Sequence, residues 1–305
     1  MAFPKKVSIV EVGPRDGLQN EADIIPSDIK IEFINRLSET GLKTIETTSF
    51  VSEKRIPQLA DASEVFEKIK KFPDIHYPVL IPNQQGLEIA LKAGVKEIAV
   101  LSTVSETFSQ KNTHCSIEEG FERIEAIIKH PGAKPLFVRG YISCALGCPY
   151  EGKIEPEQVR IIANRLIELG CHQIALGDTI GVGTPFAAQR LVETLAKDIS
   201  ISKLALHFHD TYGQALANLY ACLSLGISVI DSSIAGLGGC PYAKGATGNV
   251  ATEDVIYMLN GLGIETGVNL KALIEVSRFV ASFTKRPPRS KVAEAMLQSE
   301  SMKYI

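Results

Sequence analysis

The sequence lacks the features that mark several large classes of protein. No apolar run approaches the roughly 18 residues of a membrane span. The formal net charge is −3 and basic blocks are absent, which argues against a nucleic-acid or polybasic membrane surface. Neither the G-x-G-x-x-G fingerprint of dinucleotide-binding folds nor a Walker loop is present. We therefore expect neither a membrane nor a nucleic acid among the partners.

The two ends of the sequence carry no recognisable targeting signal. The first residues, MAFPKKVSIVEV, pass from two lysines straight into a strand-like run, without an apolar signal region or an Arg/Ser-rich transit segment. The last residues, SMKYI, match no retention or peroxisomal signal. We therefore expect a cytoplasmic protein.

Cysteine is sparse, with six residues scattered through 305. A chain of this size has no need of disulfide staples, and the lone C-x₃-C pair of Cys144 and Cys148 is weak evidence for zinc. We therefore expect reduced thiols. Cys240 stands apart because it lies in GLGGCPYAKGATGN, at 236–249, which has five glycines in fourteen residues. It could be a buried filler, half of a disulfide, a metal ligand or a group that moves onto a substrate.

One local pattern occurs four times: a helix-like run, a glycine, three residues, an isoleucine and a strand-like run. A glycine after a helix takes the left-handed conformation that ends the helix, and the β-branched run then begins a buried strand. At 45% hydrophobic residues, the chain can bury a large core around such strands. The four pairs are Gly41 and Ile45, Gly94 and Ile98, Gly170 and Ile174, and Gly226 and Ile230.

With four further strand-like runs the total is eight, and helical patterns separate most of them. This alternation implies parallel strands with right-handed crossovers, and eight strands predict a closed α/β TIM (β/α)₈ barrel. A doubly wound open sheet is the alternative, although it normally brings a nucleotide fingerprint. We expect a single domain over 1–305, with the barrel at about 7–265 and additional C-terminal helices at about 266–305. The strand-like runs lie near 7–12, 44–50, 77–82, 97–103, 136–143, 173–178, 204–209 and 229–235.

Two histidines stand at the end of the seventh strand-like run, LALHFHD. With a strand period of two, His207 and His209 point the same way, and a barrel places this strand end at the mouth where chemistry occurs. One core histidine and one surface histidine is the plain alternative. Their placement side by side on an apolar strand favours a metal site.

The first strand-like run ends in VEVGPRDGLQNE, which brings Arg15 and Asp16 to the same rim. Such a pair could simply brace the barrel. A carboxylate facing two histidines would instead complete three ligands suited to a divalent ion. Arg15 would then be free to bind or stabilise a substrate anion.

Three more polar residues stand at strand ends or in the glycine-rich stretch. Glu46 and Asp178 are each either a salt-bridge partner or an orienting group, because a buried carboxylate is costly unless it is paired. Asn249 closes the stretch around Cys240 and could be a neutral fourth ligand. A divalent-metal site with an arginine and a thiol favours carbanion or enolate chemistry, and metal-assisted hydrolysis is possible on the same groups.

Four long motifs, spread over most of the chain, together resemble the 3-hydroxy-3-methylglutaryl-CoA lyases. The wider superfamily of metal-dependent barrel lyases and acyl-CoA condensing enzymes shares the Arg–Asp and His-x-His elements, whereas the first motif and the cysteine motif are more specific to the lyases. The resemblance independently implies the barrel. The motifs are GPRDGLQNE at 13–21, IETTSFVS at 45–52, HFHDTYGQALAN at 207–218 and AGLGGCPYAKGATGNVATED at 235–254.

The resemblance also implies roles for individual residues, with Mg²⁺ or Mn²⁺ as the cofactor and an acyl-CoA as the substrate. The implied metal ligands are Asp16, His207, His209 and Asn249. The implied catalytic residues are Arg15, Glu46, Asp178, His207 and Cys240, and we expect Arg15 and Gln19 to bind the substrate.

The implied reaction is a retro-Claisen cleavage of (S)-3-hydroxy-3-methylglutaryl-CoA to acetyl-CoA and acetoacetate. The metal would chelate the C3 hydroxyl and the free carboxylate, and a nearby base, His207 or Asp16, would remove the hydroxyl proton. Arg15 would stabilise the thioester oxyanion, and Cys240 would protonate the enolate carbon from a loop that closes over the substrate.

There are three alternatives to this activity: a lyase for longer esters, a condensing enzyme and a non-catalytic binding protein. Close relatives cleave longer branched 3-hydroxyglutaryl-CoA esters with the same motifs. An acyl-CoA condensing enzyme would favour an LRDGEQ-like first motif and a C-terminal regulatory domain, which this chain does not show; a non-catalytic binding protein would lack an acid, base or ligand. The family implies a homo-oligomer, a dimer or higher, with a role in leucine degradation or ketone body formation.

Overall fold

A single curled sheet organises the chain. The computed structural model describes residues 3–239 and 248–301, and within them nine strand segments pair in parallel in the order β2-β1-β9-β8-β7-β6-β5-β4-β3. The segments are β1 (Ser8–Glu11), β2 (Thr44–Ile45), β3 (Thr48–Ser49), β4 (Val79–Leu80), β5 (Glu97–Thr103), β6 (Phe137–Ser143), β7 (Gln173–Asp178), β8 (Leu204–Phe208) and β9 (Val229–Ser232).

The sheet closes on itself because its two end segments belong to one barrel strand. Only Glu46 and Thr47 separate β2 from β3. The amide of Glu46 donates to the carbonyl of Glu11 at 2.9 Å, and the amide of Thr47 donates to the carbonyl of Pro78 at 3.0 Å on the other side. The strand therefore pairs with both neighbours, and the predicted eight-stranded TIM barrel is confirmed.

Helices surround the barrel, and their ends follow the glycine pattern of the sequence. Gly170 ends the helix Pro156–Leu169 with φ of 117°, and Gly41, Gly94 and Gly226 also have positive φ. The helices are α1 (Ser27–Ser38), α2 (Ala62–Lys68), α3 (Gln84–Lys92), α4 (Glu106–Asn112), α5 (Ile117–Ile128), α6 (Pro156–Leu169), α7 (Pro185–Leu195), α8 (Ala215–Leu223), α9 (Thr252–Gly261), α10 (Leu270–Thr284) and α11 (Lys291–Ser301). In the part of the chain that the structure describes, none of these helices has the length and apolar character to cross a membrane.

The main hydrophobic core lies between the sheet and the helices, whereas the inside of the barrel holds a separate, smaller cluster. That inner cluster contains three alanines and leaves room for large polar side chains above it. Paired positions of neighbouring parallel strands lie on the same face of the sheet, and the C-terminal ends of all the strands lie at the same end of the barrel. The polar residues near these strand ends therefore collect at one end of the barrel. The inner cluster is Leu80, Ala99, Tyr141, Ala175 and Ala205.

The C-terminal helices pack on the outside of the barrel. The ring of Phe283 on α10 lies 5.8 Å from that of Phe33 on α1, and Ser277 on α10 hydrogen-bonds Glu253 on α9. This position sets α10 beside the chain that follows β9. The division into a barrel at about 7–265 and a helical region beyond stays a prediction.

Candidate active site

The end of β8 and the segment that precedes α9 bring the predicted histidines beside Asn249. His207 pairs with Gly177 in the sheet, and both face the barrel interior. His209 lies just past the strand and forms an antiparallel bridge with Asn249, supported by a 3.0 Å bond from the amide of Val250 to the carbonyl of Phe208. The pairing continues the strand beyond its regular end and fixes the neighbour of His209.

Arg15 and Asp16 lie on a tight turn of π-helix, Gly13–Gly17, directly after β1. The amides of Arg15 and Asp16 both donate to the carbonyl of Val12, at 3.2 and 2.8 Å. A Cβ at Gly17 would lie 2.7 Å from Cβ of Leu237, so only glycine lets this turn pack under the chain that follows β9. The close packing holds Asp16 over the mouth of the barrel.

Three predicted ligands converge there. Oδ2 of Asp16 lies 3.7 Å from Nε2 of His207 and 4.0 Å from Nε2 of His209, and one donor atom from each residue lies within 4.8 Å of the other two. These separations are too long for hydrogen bonds and leave room for an ion between the atoms. The donors, one carboxylate and two imidazoles, suit a divalent cation of the Mn²⁺ or Mg²⁺ type.

Asn249 is also at this cluster, but its amide nitrogen faces the carboxylate. Nδ2 donates to Oδ2 of Asp16 at 2.8 Å and to the carbonyl of Leu237 at 3.2 Å. Gly238, at φ of 116°, passes so close that an added Cβ would lie 2.7 Å from that nitrogen. Ligation through the amide oxygen would therefore require the amide to turn over.

Arg15 is held on two sides by carboxylates. Its Nε and Nη2 each lie 2.8 Å from Oε2 of Glu46, and Nη1 lies 2.6 Å from Oδ1 of Asp16. The hydroxyl of Tyr141 donates to the same Glu46 oxygen at 3.1 Å, and the guanidinium stands 5.3 Å from the centre of the Tyr141 ring. Glu46 is therefore a salt-bridge partner of Arg15, one of the two roles considered from the sequence, and an orienting role in the reaction stays a prediction.

Two further charged residues extend this network across the barrel. Arg139 on β6 donates through Nη2 to Oδ1 of Asp231 on β9 at 2.6 Å, and through Nη1 to the hydroxyl of Tyr141 at 3.3 Å. Oδ2 of Asp231 lies 3.0 Å from Nδ1 of His207. A ring of contacts thus runs from His207 through Asp231, Arg139 and Tyr141 to Glu46 and Arg15, and back by Asp16. We call these seven residues the barrel ring.

Asp231, Arg139 and Tyr141 are not among the residues predicted from the sequence. The signal that could have found them is the strand period of two. It puts Arg139 and Tyr141 on one face of β6, and it puts Asp231 on the same face as the inward-facing residues of β8. The predicted residues stand at strand ends, whereas these three lie deeper in the barrel.

The charges in the barrel ring favour a cation. Burial acts to raise the pKa of Asp16, but Arg15 and the two histidines outweigh it and lower that pKa to about 2. Burial lowers the pKa of His209 to about 4, so the imidazole of His209 is neutral at neutral pH and able to bind a metal. Three carboxylates face two guanidiniums, which leaves one formal negative charge for a cation to offset.

Asp178 is not part of this cluster. Its carboxylate is fully buried and accepts hydrogen bonds from the amides of Val182 at 3.1 Å and Gly183 at 2.8 Å. Burial raises its pKa to about 6. It pairs with Phe208 in the sheet, on the face opposite His207, so it holds the turn after β7. A catalytic role for Asp178 stays a prediction.

The two remaining predicted site residues are Gln19 and Cys240. Gln19 is half-buried one turn beyond Arg15, and its Oε1 has no hydrogen-bond partner among the described residues, so a substrate contact stays a prediction. Cys240 falls within 240–247, outside the described residues.

Known proteins are similar to this chain in sequence over most of its length. The HMGL-like family model matches residues 6–280. The mitochondrial hydroxymethylglutaryl-CoA lyase of Mus musculus is 56% identical over 293 residues, covering 96% of this chain and 90% of that protein. The cytoplasmic 3-hydroxy-3-methylglutaryl-CoA lyase of Homo sapiens is also 56% identical over 293 residues, covering 96% and 79%.

Solved structures agree with the sequence matches. Hydroxymethylglutaryl-CoA lyase from Pseudomonas aeruginosa superimposes with a TM-score of 0.95 at 52% identity, covering 98% of this chain and 100% of that one. An HMG-CoA lyase from Acinetobacter baumannii, in complex with coenzyme A and 3-methylmalate, has a TM-score of 0.92 at 38% identity, covering 97% and 96%.

Proposed function

The chain belongs to the HMGL-like family, and from that premise we propose how its own residues divide the work of the reaction. It is a carbon–carbon lyase, and its substrate is 3-hydroxy-3-methylglutaryl-CoA. The cleavage gives acetyl-CoA and acetoacetate. The observation that carries the assignment of roles is the meeting of Asp16, His207 and His209 beside Arg15.

Asp16, His207 and His209 would hold a divalent cation, Mg²⁺ or Mn²⁺, and the amide oxygen of Asn249 would be the fourth ligand. A divalent cation in this position supplies a positive charge that lowers the pKa of a hydroxyl in contact with it. The support for these ligands is the burial of the two histidines, the spacing of the three residues and the residual negative charge of the barrel ring.

Arg15 binds the thioester oxygen, where negative charge develops when the bond between C2 and C3 breaks. Its guanidinium is clamped by Glu46 and Asp16, so the donor is oriented before the substrate arrives. Glu46 acts through Arg15 and is a positioning residue. Its burial beside Tyr141 keeps the clamp out of water, which strengthens the interaction with an oxyanion.

Two protons move during the reaction. A base, His207 or Asp16, takes the proton of the C3 hydroxyl, and His207 can do so only while its Nε2 is not bound to the cation. The electrons of the C2–C3 bond remain on C2, and acetoacetate separates from the enolate of acetyl-CoA. Cys240 donates a proton to that carbon. A Cys240→Ala protein should bind metal and acyl-CoA normally but cleave on the order of 10²–10⁴ times more slowly, as for loss of a general acid. Near-normal turnover would remove Cys240 from this role.

The direct test is incubation of the purified protein with 3-hydroxy-3-methylglutaryl-CoA and Mg²⁺, with acetoacetate measured against an EDTA-treated sample. Acetoacetate that appears only with the metal supports the proposal. Equal rates with EDTA would remove the metal from the reaction. Much faster cleavage of longer branched esters would reassign the substrate but leave the roles of the residues unchanged.

The cellular setting is part of the proposal. We place the protein in the cytoplasm as a homo-oligomer, a dimer or higher, acting in leucine degradation or ketone body formation. Cytoplasmic relatives support this location, although mitochondrial relatives exist as well. Light scattering coupled to gel filtration tests the assembly, and a monomer at micromolar concentration would contradict it.

A further inference from the structure

A buried carboxylate touches the first histidine of the site. Asp231 lies on β9 and is 1% exposed. Its Oδ2 is 3.0 Å from Nδ1 of His207, and its Oδ1 accepts a 2.6 Å bond from Nη2 of Arg139. We infer that Asp231, held by Arg139, is a positioning residue that fixes the proton of His207 on Nδ1 and keeps Nε2 free for the cation. This inference rests on the proposed function, which makes His207 a metal ligand.

The carboxylate determines which ring nitrogen carries the proton. An ionised carboxylate only accepts hydrogen bonds, and a neutral imidazole donates from one nitrogen and accepts at the other. The guanidinium of Arg139 at 2.6 Å keeps Asp231 ionised, so Nδ1 of His207 must donate. The lone pair is then on Nε2, the atom that lies 3.7 Å from Asp16. Such partners set the tautomer and the ring orientation of metal-binding histidines.

An asparagine at position 231 separates this role from simple packing, because it is nearly the same size. Both neighbours of Asp231 donate to it, and an amide offers only one acceptor oxygen. The guanidinium of Arg139 always donates, whereas the imidazole of His207 can move its proton. In Asp231→Asn the oxygen therefore stays with Arg139, the NH₂ group faces Nδ1, and the proton of His207 shifts to Nε2. That shift removes the lone pair that the cation needs.

Glu46 provides a matched control. Glu46→Gln removes one negative charge from the same barrel ring, from a carboxylate that is also 1% exposed, but it does not touch His207. Titration of the metal-free proteins with Mn²⁺, followed by electron paramagnetic resonance, compares the two. We expect Asp231→Asn to lose about tenfold to a hundredfold in Mn²⁺ affinity, and Glu46→Gln to lose clearly less. Equal losses would show that charge alone is involved and would overturn the inference.

A second change should rescue the first. In the double variant Asp231→Asn/Arg139→Met, the competing donor is gone, so the amide can turn its oxygen to His207 and return the proton to Nδ1. The double variant should bind Mn²⁺ more tightly than Asp231→Asn alone. A merely structural role predicts that the second core substitution makes binding worse, and that result would also overturn the inference.

The tautomer itself can be read in the wild-type protein, which keeps the inference testable if a variant does not fold. The chain has six histidines, and nitrogen NMR of ¹⁵N-histidine-labelled, metal-free protein reports the protonated nitrogen of each. The His207 signal is identified by its loss in His207→Gln. A proton on Nδ1 is expected, and a proton on Nε2 would overturn the inference. If the wild type bound no Mn²⁺, the proposed function would fail; binding by the wild type with equal losses in both variants would defeat only the role of Asp231.

Discussion

The protein buries carboxylates both inside the barrel and outside it, and the pKa of Asp231 inside shifts in the opposite direction from those of Glu11 and Glu253 outside. Inside, burial acts to raise the pKa of Asp231, but Arg139 and His207 bring it below the usual range. Outside, between β1 and α9, burial raises the pKa of Glu11 to about 7 and that of Glu253 to about 8, because their partners are neutral. Burial alone therefore does not decide the charge of a carboxyl; its partner does.

The outer pair has a structural task that explains its position. Glu11 accepts from the amides of Gly13 and Ile234, at 2.8 and 2.9 Å, and Glu253 accepts from the amide of Ala235 at 3.0 Å. Ala235 has φ of 57°, a strained conformation for a residue with a side chain. The outer acids hold the chain that leads from β9 toward Asn249, whereas the inner acids hold Arg15, Arg139 and His207.

The largest effect should follow from removal of a positive charge inside the barrel. Arg139→Met leaves Asp231 buried without its guanidinium, and breaking a buried pair costs about 3–5 kcal/mol of unfolding free energy. Urea denaturation monitored by circular dichroism measures this loss. Asp61→Asn, which breaks the pair with Lys30 between α1 and α2, is a comparison at a less buried carboxylate and should cost less. A stable Arg139→Met protein would show that the inner carboxylates do not depend on their arginines.

The outer pair, Glu11 and Glu253, should make the unfolding free energy depend on pH. The pKa of Glu253 is about 8 in the folded chain against an ordinary 4.5, so between these values the folded chain keeps a proton that the unfolded chain has released. The unfolding free energy then falls as pH rises, by about 3 kcal/mol between pH 5 and 8 from this group. Glu253→Gln, which can still accept from Ala235 and donate to the Ser277 hydroxyl, should flatten that slope. An unchanged slope in urea titrations at several pH values would contradict a neutral Glu253.

The contrast between the two regions also shows what the sequence could reveal. The glycine–isoleucine repeats predicted the barrel, and the period of β8 predicted that His207 and His209 face together, because both patterns are local. The partner of Arg139 is 92 residues away, so only the closed sheet shows that the two charges meet. Asp178 shows that a strand-end position alone does not fix the face of a side chain: its carboxylate lies on the outer face of the sheet, and its catalytic role stays a prediction.

A smaller effect on stability is expected at His209, a proposed metal ligand of the inner site. His209→Ala removes a neutral imidazole whose Nε2 lies 4.0 Å from Oδ2 of Asp16, so it strands no buried charge and the fold should tolerate it better than Arg139→Met. Because a direct ligand matters at least as much as the groups that orient one, Mn²⁺ affinity should fall by about a hundredfold or more. Calorimetric titration with Mn²⁺ measures this affinity, and His172→Ala, which removes an exposed histidine, is the control. Unchanged Mn²⁺ affinity would defeat the proposed ligand set.

The smallest effect is expected for a neutral member of the barrel ring. Tyr141→Phe keeps the ring that packs against Arg15 but removes the hydroxyl that donates to Glu46 at 3.1 Å. Glu46 still has both bonds from Arg15, and Arg139 keeps its bond to Asp231, so the loss should be near that of the two hydrogen bonds of the hydroxyl, about 1–2 kcal/mol of unfolding free energy. Mn²⁺ affinity should stay unchanged, because Asp231 still holds His207. If Tyr141→Phe weakened Mn²⁺ binding as much as Asp231→Asn, orientation would be a property of the whole ring, and the distinction between charged and neutral members would fail.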